Sequence, residues 1–199
     1  LLNKELKCPN INKFEVINLG VGGYDIEYAV ARFKKRGIKY SPDLILWLLK
    51  WDDIQEIREQ ISAKAKEYKK QMEDSGELKE HQEKGNFYPW NKKASEEMYD
   101  KYGEEEILNY QYAALESLRT VYKNPLIIFN TPDRSSSIQK GLMEKFIKEY
   151  PNIYYYDQLP VLVKPDSALP DGHPNKEGYA LIADAILTFL KENALIPCD

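Results

Sequence analysis

Apolar residues recur along the chain in runs and in helical spacings, and their order predicts an α/β fold. Three segments, at 14–21, 42–49 and 124–132, have strand-like runs of apolar and β-branched residues bounded by glycine, proline or asparagine. The run PDLILWLL at 42–49 is continuously apolar after its proline, which is typical of a strand buried on both faces of a parallel sheet. A shorter run at 152–159 predicts a further strand.

Segments with apolar residues at helical spacing separate these strands. They predict a helix at 24–37 that ends at Gly37, a helix at 136–150, and a last helix that Asn175 caps. Before the third strand, the predicted apolar face of another helix consists of Ile107, Tyr110, Ala114, Leu118 and Val121. Alternating strands and helices predict a parallel sheet covered on both sides, with an active crevice at the carboxyl ends of the strands.

Residues 55–105 differ from this alternation because they are highly charged. Their first half has a single narrow apolar stripe, formed by Ile57, Ile61, Ala65, Tyr68 and Met72. Such a stripe can bury one face of a helix but cannot build a core. We therefore predict one α/β domain over residues 1–199, with a helical insertion or cap at 55–105.

Composition narrows the functional class. The chain has 199 residues, 43% hydrophobic and 30% charged, which is typical of one globular domain. A net charge of −4 with interspersed signs argues against a nucleic-acid partner, and the longest apolar runs are too short to span a bilayer. Cys8 and Cys198 fit no metal-ligand spacing, and as two unrelated thiols they favour the cytoplasm slightly. The compartment and the oligomeric state otherwise stay open.

The segment LPDGHPNKEGY, at 169–179, carries the strongest candidate for chemistry. His173 lies between an aspartate and the predicted helix cap. An imidazole titrates near neutral pH, so a histidine oriented by a carboxylate is a candidate general base. The simpler alternative is a polar loop residue. The glycines Gly22 and Gly23 and the acidic WDD at 51–53 follow predicted strands, and each has a simple alternative too, as a tight turn and as a solvated strand end.

Two segments resemble blocks of the SGNH/GDSL hydrolase superfamily, which comprises esterases, lipases and acetylesterases. VINLGVGGYD, at 16–25, is similar to the block that supplies a backbone N–H to the oxyanion hole, and Gly23 matches its glycine. PDLILWLLKWDDI, at 42–54, is similar to the block in which a buried strand ends in an Asn-Asp pair, with Asp52 at the asparagine position. The resemblance implies that Gly23 and Asp52 line an oxyanion or substrate-binding site.

A third segment, DGHPNKEGYALIADAI at 171–186, resembles the block that holds the catalytic histidine and its aspartate partner. The resemblance implies that His173 and Asp171 are catalytic. It also implies a flavodoxin-like, three-layer α/β/α fold and a serine nucleophile in a Gly-Asp-Ser motif on the first strand.

The chain departs from the superfamily pattern in three places. It contains no Gly-Asp-Ser, so we expect either an N-terminally incomplete sequence or a degenerate member. A carboxylate at Asp52 repels an oxyanion unless it is protonated, so either another donor, such as Lys50 or Trp51, replaces it or the oxyanion hole is weakened. The spacing Asp-Gly-His is shorter than the usual Asp-x-x-His, although alginate-acetyltransferase-like proteins resemble it; Asp166 is the reserve orienting acid.

The resemblance implies a hydrolase acting on ester bonds of small O-acyl substrates. An O-acyltransferase of the same superfamily and a non-catalytic binding module with the same fold are the alternatives. The expected partner is a small-molecule ester. No cofactor is implied, and no metal site is predicted, because the adjacent aspartates lack a third ligand at a recognisable spacing.

Overall fold

The computed structural model describes residues 14–49, 53–54, 56–84, 88–130, 137–170 and 173–196. These residues form a mixed α/β structure around a parallel sheet. Its strands are β1 (Ile45–Leu48), β2 (Leu126–Phe129) and β3 (Ile153–Tyr156), in the order β1-β2-β3. The predicted class, α/β with a parallel sheet, is therefore confirmed.

Besides the two helical residues at 53–54, the described part of the chain has six α-helices. They are α1 (Ile26–Arg32), α2 (Arg58–Ser75), α3 (Glu77–Glu83), α4 (Pro89–Val121), α5 (Ser137–Glu149) and α6 (Lys176–Glu192). A π-helical turn, Phe33–Gly37, and a 3-10 turn, Ile38–Tyr40, continue α1. Helix α4 contains a break at Gly103, where φ is 71°. The helices predicted for the C-terminal half and within 55–105 are thus found, with the latter divided at Gly76.

Both faces of the sheet are covered by helices, because successive residues of β2 point in opposite directions. Leu126 and Ile128 pack against α1, α4 and α5, whereas Ile127 and Phe129 pack against α6. All four β2 residues are buried, as the apolar run predicts. A separate cluster joins α2 to the first half of α4 and consists of Ile57, Ile61, Ala65, Ala94, Met98 and Ile107.

Strand β1 is less buried than its sequence predicts. Its hydrogen bonds run to β2: Ile45 N–H donates to the Pro125 carbonyl at 3.0 Å, and Leu49 N–H donates to Phe129 at 2.8 Å. Along a strand, alternate residues direct their backbone groups to opposite sides. The groups of Leu46 and Leu48 therefore face an edge at which the described residues place no strand, and Leu48 is 50% exposed.

The predicted strand at 14–21 is not formed. The segment has neither helix nor strand structure, and Val16, Ile17 and Val21 are exposed. Leu19 alone among its apolar residues packs against the core cluster of α1 and the sheet. The prediction is wrong because alternation makes a strand favourable only beside a partner strand, and within the described ranges β1 bonds to β2 and not to this segment.

The π-helical turn that continues α1 ends at Gly37, the predicted boundary, but Gly37 is not the predicted C-cap. The chain stays right-handed through it, with φ of −87°, and becomes left-handed at Ser41, with φ of 46°. A Cβ at Gly37 would lie 2.5 Å from a Phe33 ring carbon and 2.7 Å from Leu19 Cδ1. The glycine therefore permits close packing and does not act as a cap.

The predicted apolar face of α4 is displaced around the helix. Tyr110 and Val121 are 38% and 46% exposed, whereas Gln111, Leu115 and Arg119 are buried. A face chosen by hydrophobicity cannot include a glutamine and an arginine. Those two residues nevertheless mark the side of α4 that faces the core.

Candidate functional site

The loop before α6 holds His173 in a defined backbone position. The His173 carbonyl accepts a 2.7 Å hydrogen bond from Leu169 N–H, and Ala168 and Pro174 form an antiparallel bridge. The imidazole-bearing residue itself is exposed. The loop therefore presents the side chain to solvent from a fixed backbone.

Asn175 fastens this loop to the start of α6. As predicted, it is the N-cap: its Oδ1 accepts from Gly178 N–H at 3.0 Å. Its Nδ2 also donates to the carbonyls of Pro165 and Asp166, at 2.9 and 3.1 Å. An aspartate could make the cap but could not donate these two bonds.

Ser167 lies beneath the same loop and is buried. Its Oγ accepts from Val163 N–H at 2.8 Å, and its carbonyl accepts from Asn175 N–H at 3.1 Å. Gly178 packs directly on that carbonyl, since a Cβ at Gly178 would lie 2.1 Å from the Ser167 oxygen. The glycine of the His173 motif is thus required by contact with the loop.

Gly23 lies in the turn that leads into α1. Its φ is 77°, in the left-handed region that favours glycine, and Tyr24 N–H donates to the Val21 carbonyl at 3.4 Å. A Cβ at this position would meet nothing within 4 Å. The backbone conformation, and not crowding, is therefore what requires a glycine here.

Asp25 follows this turn and is the N-cap of α1, with 1% of its surface exposed. Its Oδ1 accepts from Tyr28 N–H at 2.8 Å. Its Oδ2 accepts from Arg58 N–H, the first residue of α2, at 2.8 Å and from Gln111 Nε2 at 3.4 Å. One carboxylate therefore binds the N-terminal ends of two helices.

Gln111, on α4, completes this arrangement and is fully buried. Its Oε1 accepts from Glu27 N–H at 3.2 Å, and its Nε2 donates to the Glu56 carbonyl at 2.5 Å. Sequence reasoning missed both Asp25 and Gln111. The available signals were an aspartate directly before a predicted helix and a glutamine among apolar residues.

Asn130 is a further polar residue that the sequence did not single out, at the carboxyl end of the central strand. It is 5% exposed, and its Nδ2 donates to the Tyr155 hydroxyl at 3.2 Å. Its backbone N–H donates to Tyr156 at 2.8 Å, and its carbonyl accepts from Leu159 N–H at 3.2 Å. Asn130 therefore ties the ends of β2 and β3 to the segment that leads to the His173 loop.

The structure describes some of the predicted site residues and not others. Asp171 and Asp52 lie outside the described residues, as do Lys50 and Trp51. The reserve acid Asp166 is exposed, and its carbonyl is occupied by Asn175. Gly23 precedes α1 and His173 precedes α6, and these two helices pack on opposite faces of the sheet. That the two residues meet above the strand ends stays a prediction.

Aromatic side chains join the C-terminal half of α6 to the sheet. Phe189 packs on Phe129 and Tyr156, the last residues of β2 and β3, with ring centroids 5.5 and 5.0 Å apart. At 1.5 Å rise per residue, Lys176 at the start of α6 is roughly 20 Å along the helix axis from this contact. The His173 loop is therefore at the end of α6 that is remote from these aromatic rings.

In the ranges that the structure describes, no three histidine, cysteine, aspartate or glutamate side chains come together in a way that could hold a metal ion. Nor does that part of the chain contain a helix long and apolar enough to cross a membrane. No protein-family model, curated protein or solved structure matches this chain. The likeness to SGNH hydrolases therefore depends on the three sequence segments alone.

Proposed function

We propose that this chain supplies His173, Asp171 and Gly23 to an SGNH-type hydrolase that cleaves ester bonds of small O-acyl substrates. The observation that carries the proposal is the loop before α6. It fixes the backbone at His173 by the Leu169 hydrogen bond, while the side chain stays accessible. A general base needs this combination, because it must reach a substrate in a reproducible orientation.

The proposed fold is a flavodoxin-like, three-layer α/β/α domain. In the order 2-1-3-4-5, the last three strands are neighbours. The observed order β1-β2-β3, with helices on both faces, supports assigning these strands to that part of the sheet.

In the proposed reaction a serine oxygen attacks the ester carbonyl. His173 accepts the serine proton and returns it to the leaving alcohol, while Asp171 orients the imidazole and stabilises its cation. Gly23 N–H donates to the oxyanion of the tetrahedral intermediate. Because no Gly-Asp-Ser occurs in residues 1–199, the serine is the component that the proposal requires from outside them.

A non-catalytic binding module is the second candidate, and Asp52 favours it. The superfamily has an amide donor at this position, and a carboxylate cannot donate a hydrogen bond unless it is protonated. An O-acyltransferase is the third candidate, because the same acyl-enzyme would react with an alcohol instead of water.

Hydrolysis of 4-nitrophenyl acetate tests these candidates. We would compare chain 1–199 with the protein expressed from the complete reading frame, and would introduce His173→Ala into both. His81→Ala is the matched control, since it removes the other histidine, on α3. We expect the complete product to form an acyl-enzyme and to lose on the order of 10³-fold or more of its turnover in His173→Ala. Chain 1–199 should show no His173-dependent burst.

Each other result selects a different conclusion. A complete product without His173-dependent turnover would contradict the hydrolase and favour the binding module. A burst in chain 1–199 would place the nucleophile inside these residues. Transfer of the acetyl group to an added alcohol in preference to water would indicate the acyltransferase.

A further inference from the structure

Asp25 and Gln111 form a polar junction between elements that are distant in sequence. We use this name for their two side chains and the backbone groups they bind, which belong to Glu27, Tyr28, Glu56 and Arg58. A buried carboxylate is costly unless hydrogen bonds replace its hydration. Asp25 meets this requirement with donors from α1, α2 and α4, so all three elements must be in place together.

The polar junction does more than cap α1. A serine at the N-cap would satisfy Tyr28 N–H equally well. The second carboxylate oxygen of Asp25 is directed instead to Arg58 N–H, at the start of another helix. Gln111 lies between the apolar residues Leu108 and Leu115 on the buried side of α4, where an apolar side chain would also pack. The amide is needed for the junction and not for the core.

The polar junction is close in sequence to both parts of the proposed oxyanion site. Gly23 is two residues before Asp25, and Asp52 precedes Glu56 by four residues. The space around Gly23 is open, so side-chain packing at that residue does not fix the turn. On the N-terminal side of the turn, the Leu19 carbonyl accepts from Arg32 Nε at 2.9 Å; on the C-terminal side, Asp25 is the first residue anchored to α2 and α4.

We infer that Asp25 and Gln111 are positioning residues, which hold the Gly22–Gly23 turn in a fixed place relative to the segment at 56–58. Through them, the helices of the 55–105 region determine where Gly23 N–H points. The inference rests on the proposed function for its catalytic meaning, whereas the geometric link can be tested independently of activity.

Two variants separate the functions of the polar junction. Asp25→Ser keeps an acceptor for Tyr28 N–H but removes the one that binds Arg58 N–H. Gln111→Met keeps the side-chain length but removes the bonds to Glu27 and Glu56. Gln71→Met, on the exposed surface of α2, is the matched control, because its amide bonds only to a glutamate one turn away among the contacts described.

Amide hydrogen exchange and the Gly23 amide resonance give the first measurement. In Asp25→Ser we expect exchange at Arg58 to become faster by about tenfold or more, while Tyr28 stays within about twofold. The Gly23 resonance should shift or broaden in Asp25→Ser and in Gln111→Met but not in Gln71→Met. If Asp25→Ser does not fold, Gln111→Met alone decides the question. An unchanged Gly23 resonance in a folded variant would overturn the inference.

Kinetics give the second measurement, on the complete product. Loss of positioning should lower kcat by about tenfold or more with KM within about twofold, because the oxyanion is bound in the transition state and not in the ground state. An unchanged kcat would overturn the catalytic meaning of the polar junction. If the complete product shows no His173-dependent hydrolysis, the proposed function fails, and the Gly23 and Arg58 amides still decide whether the junction holds the turn.

Discussion

Replacing Gly178 by alanine tests whether the His173 loop is fixed as the structure indicates. Gly178 lies in the first turn of α6 and donates its N–H to the Asn175 side chain. The added Cβ would lie 2.1 Å from the Ser167 carbonyl oxygen and 3.2 Å from Pro174 Cβ. The first contact involves backbone, so no side-chain rotation can relieve it. The loop and the start of α6 must move apart.

Helix propensity and packing predict opposite signs for this substitution. In a helix interior, alanine is more favourable than glycine by about 1 kcal/mol. Separation of the loop from α6 would cost the Asn175-to-Ser167 hydrogen bond, about 1 kcal/mol, and the Asn175 cap, about 1 kcal/mol. Residual overpacking adds at least about 1 kcal/mol. We therefore expect Gly178→Ala to lower the free energy of unfolding by about 2 kcal/mol.

Urea unfolding followed by circular dichroism measures the effect, with Gly141→Ala as the matched control. Gly141 lies within α5, and a Cβ there would meet nothing within 4 Å. Helix propensity should be the only effect of Gly141→Ala, which should stabilise the protein by up to about 1 kcal/mol. The two substitutions should thus have opposite signs. A Gly178→Ala protein as stable as Gly141→Ala would refute the described packing of the loop.

Two further predictions concern stability. Arg119 is buried and donates to the carbonyls of Lys123, Asn124 and Pro151. Arg119→Met should therefore lower the free energy of unfolding by about 3 kcal/mol in the same assay. A change near zero would contradict these contacts. Burial, with the charges of Glu56 and Glu104, raises the pKa of Tyr99 to about 12. The unfolded chain ionises near pH 10, so this stabilisation should be complete below about pH 10 and lost between about pH 10 and 12. Tyr99→Phe should weaken the alkaline loss of stability; an unchanged alkaline unfolding curve would contradict the raised pKa.

The elements that the sequence predicts correctly are those whose signals are local. The run at 126–129 is apolar at every position, and it is the central, fully buried strand. The cap at Asn175 is a feature of a few consecutive residues, and its predicted hydrogen bond is present. Neither feature needs information from a distant part of the chain.

The predictions that are wrong depend on contacts that a local pattern does not contain. The alternation at 14–21 indicates a strand, but a strand also requires a neighbour. The face of α4 was misjudged because Gln111 and Arg119 are buried through hydrogen bonds to remote backbone groups, including Glu27, which is 84 residues from Gln111. Hydrophobicity alone ranks such residues as exposed.

The candidate site shows the same contrast between local signals and distant contacts. The motif around His173 and the glycine at Gly23 could be proposed from sequence as site candidates because their chemistry is tied to short spacings. The left-handed φ of Gly23 agrees with its residue type. The partners that hold Gly23 in place are separated from it along the chain, so they could be found only once the helices were packed.

Helix α4 connects α2 to the sheet. Ile107 belongs to the cluster with α2, and the next residue, Leu108, belongs to the cluster with the sheet. Gln111, one turn further along α4, accepts from Glu27 N–H and donates to the Glu56 carbonyl. It therefore binds the segment that follows the Gly22–Gly23 turn and the segment that follows β1. Moving α2 away from the sheet would therefore break the hydrogen bond from Arg58 N–H to Asp25 and the apolar contacts of α2 with Ile107. The break at Gly103 lies before these contacts, so bending there can move the N-terminal part of α4 without disturbing Gln111. Any rearrangement of this region should consequently be confined to residues 89–102 of α4, while the turn at Gly23 keeps its place.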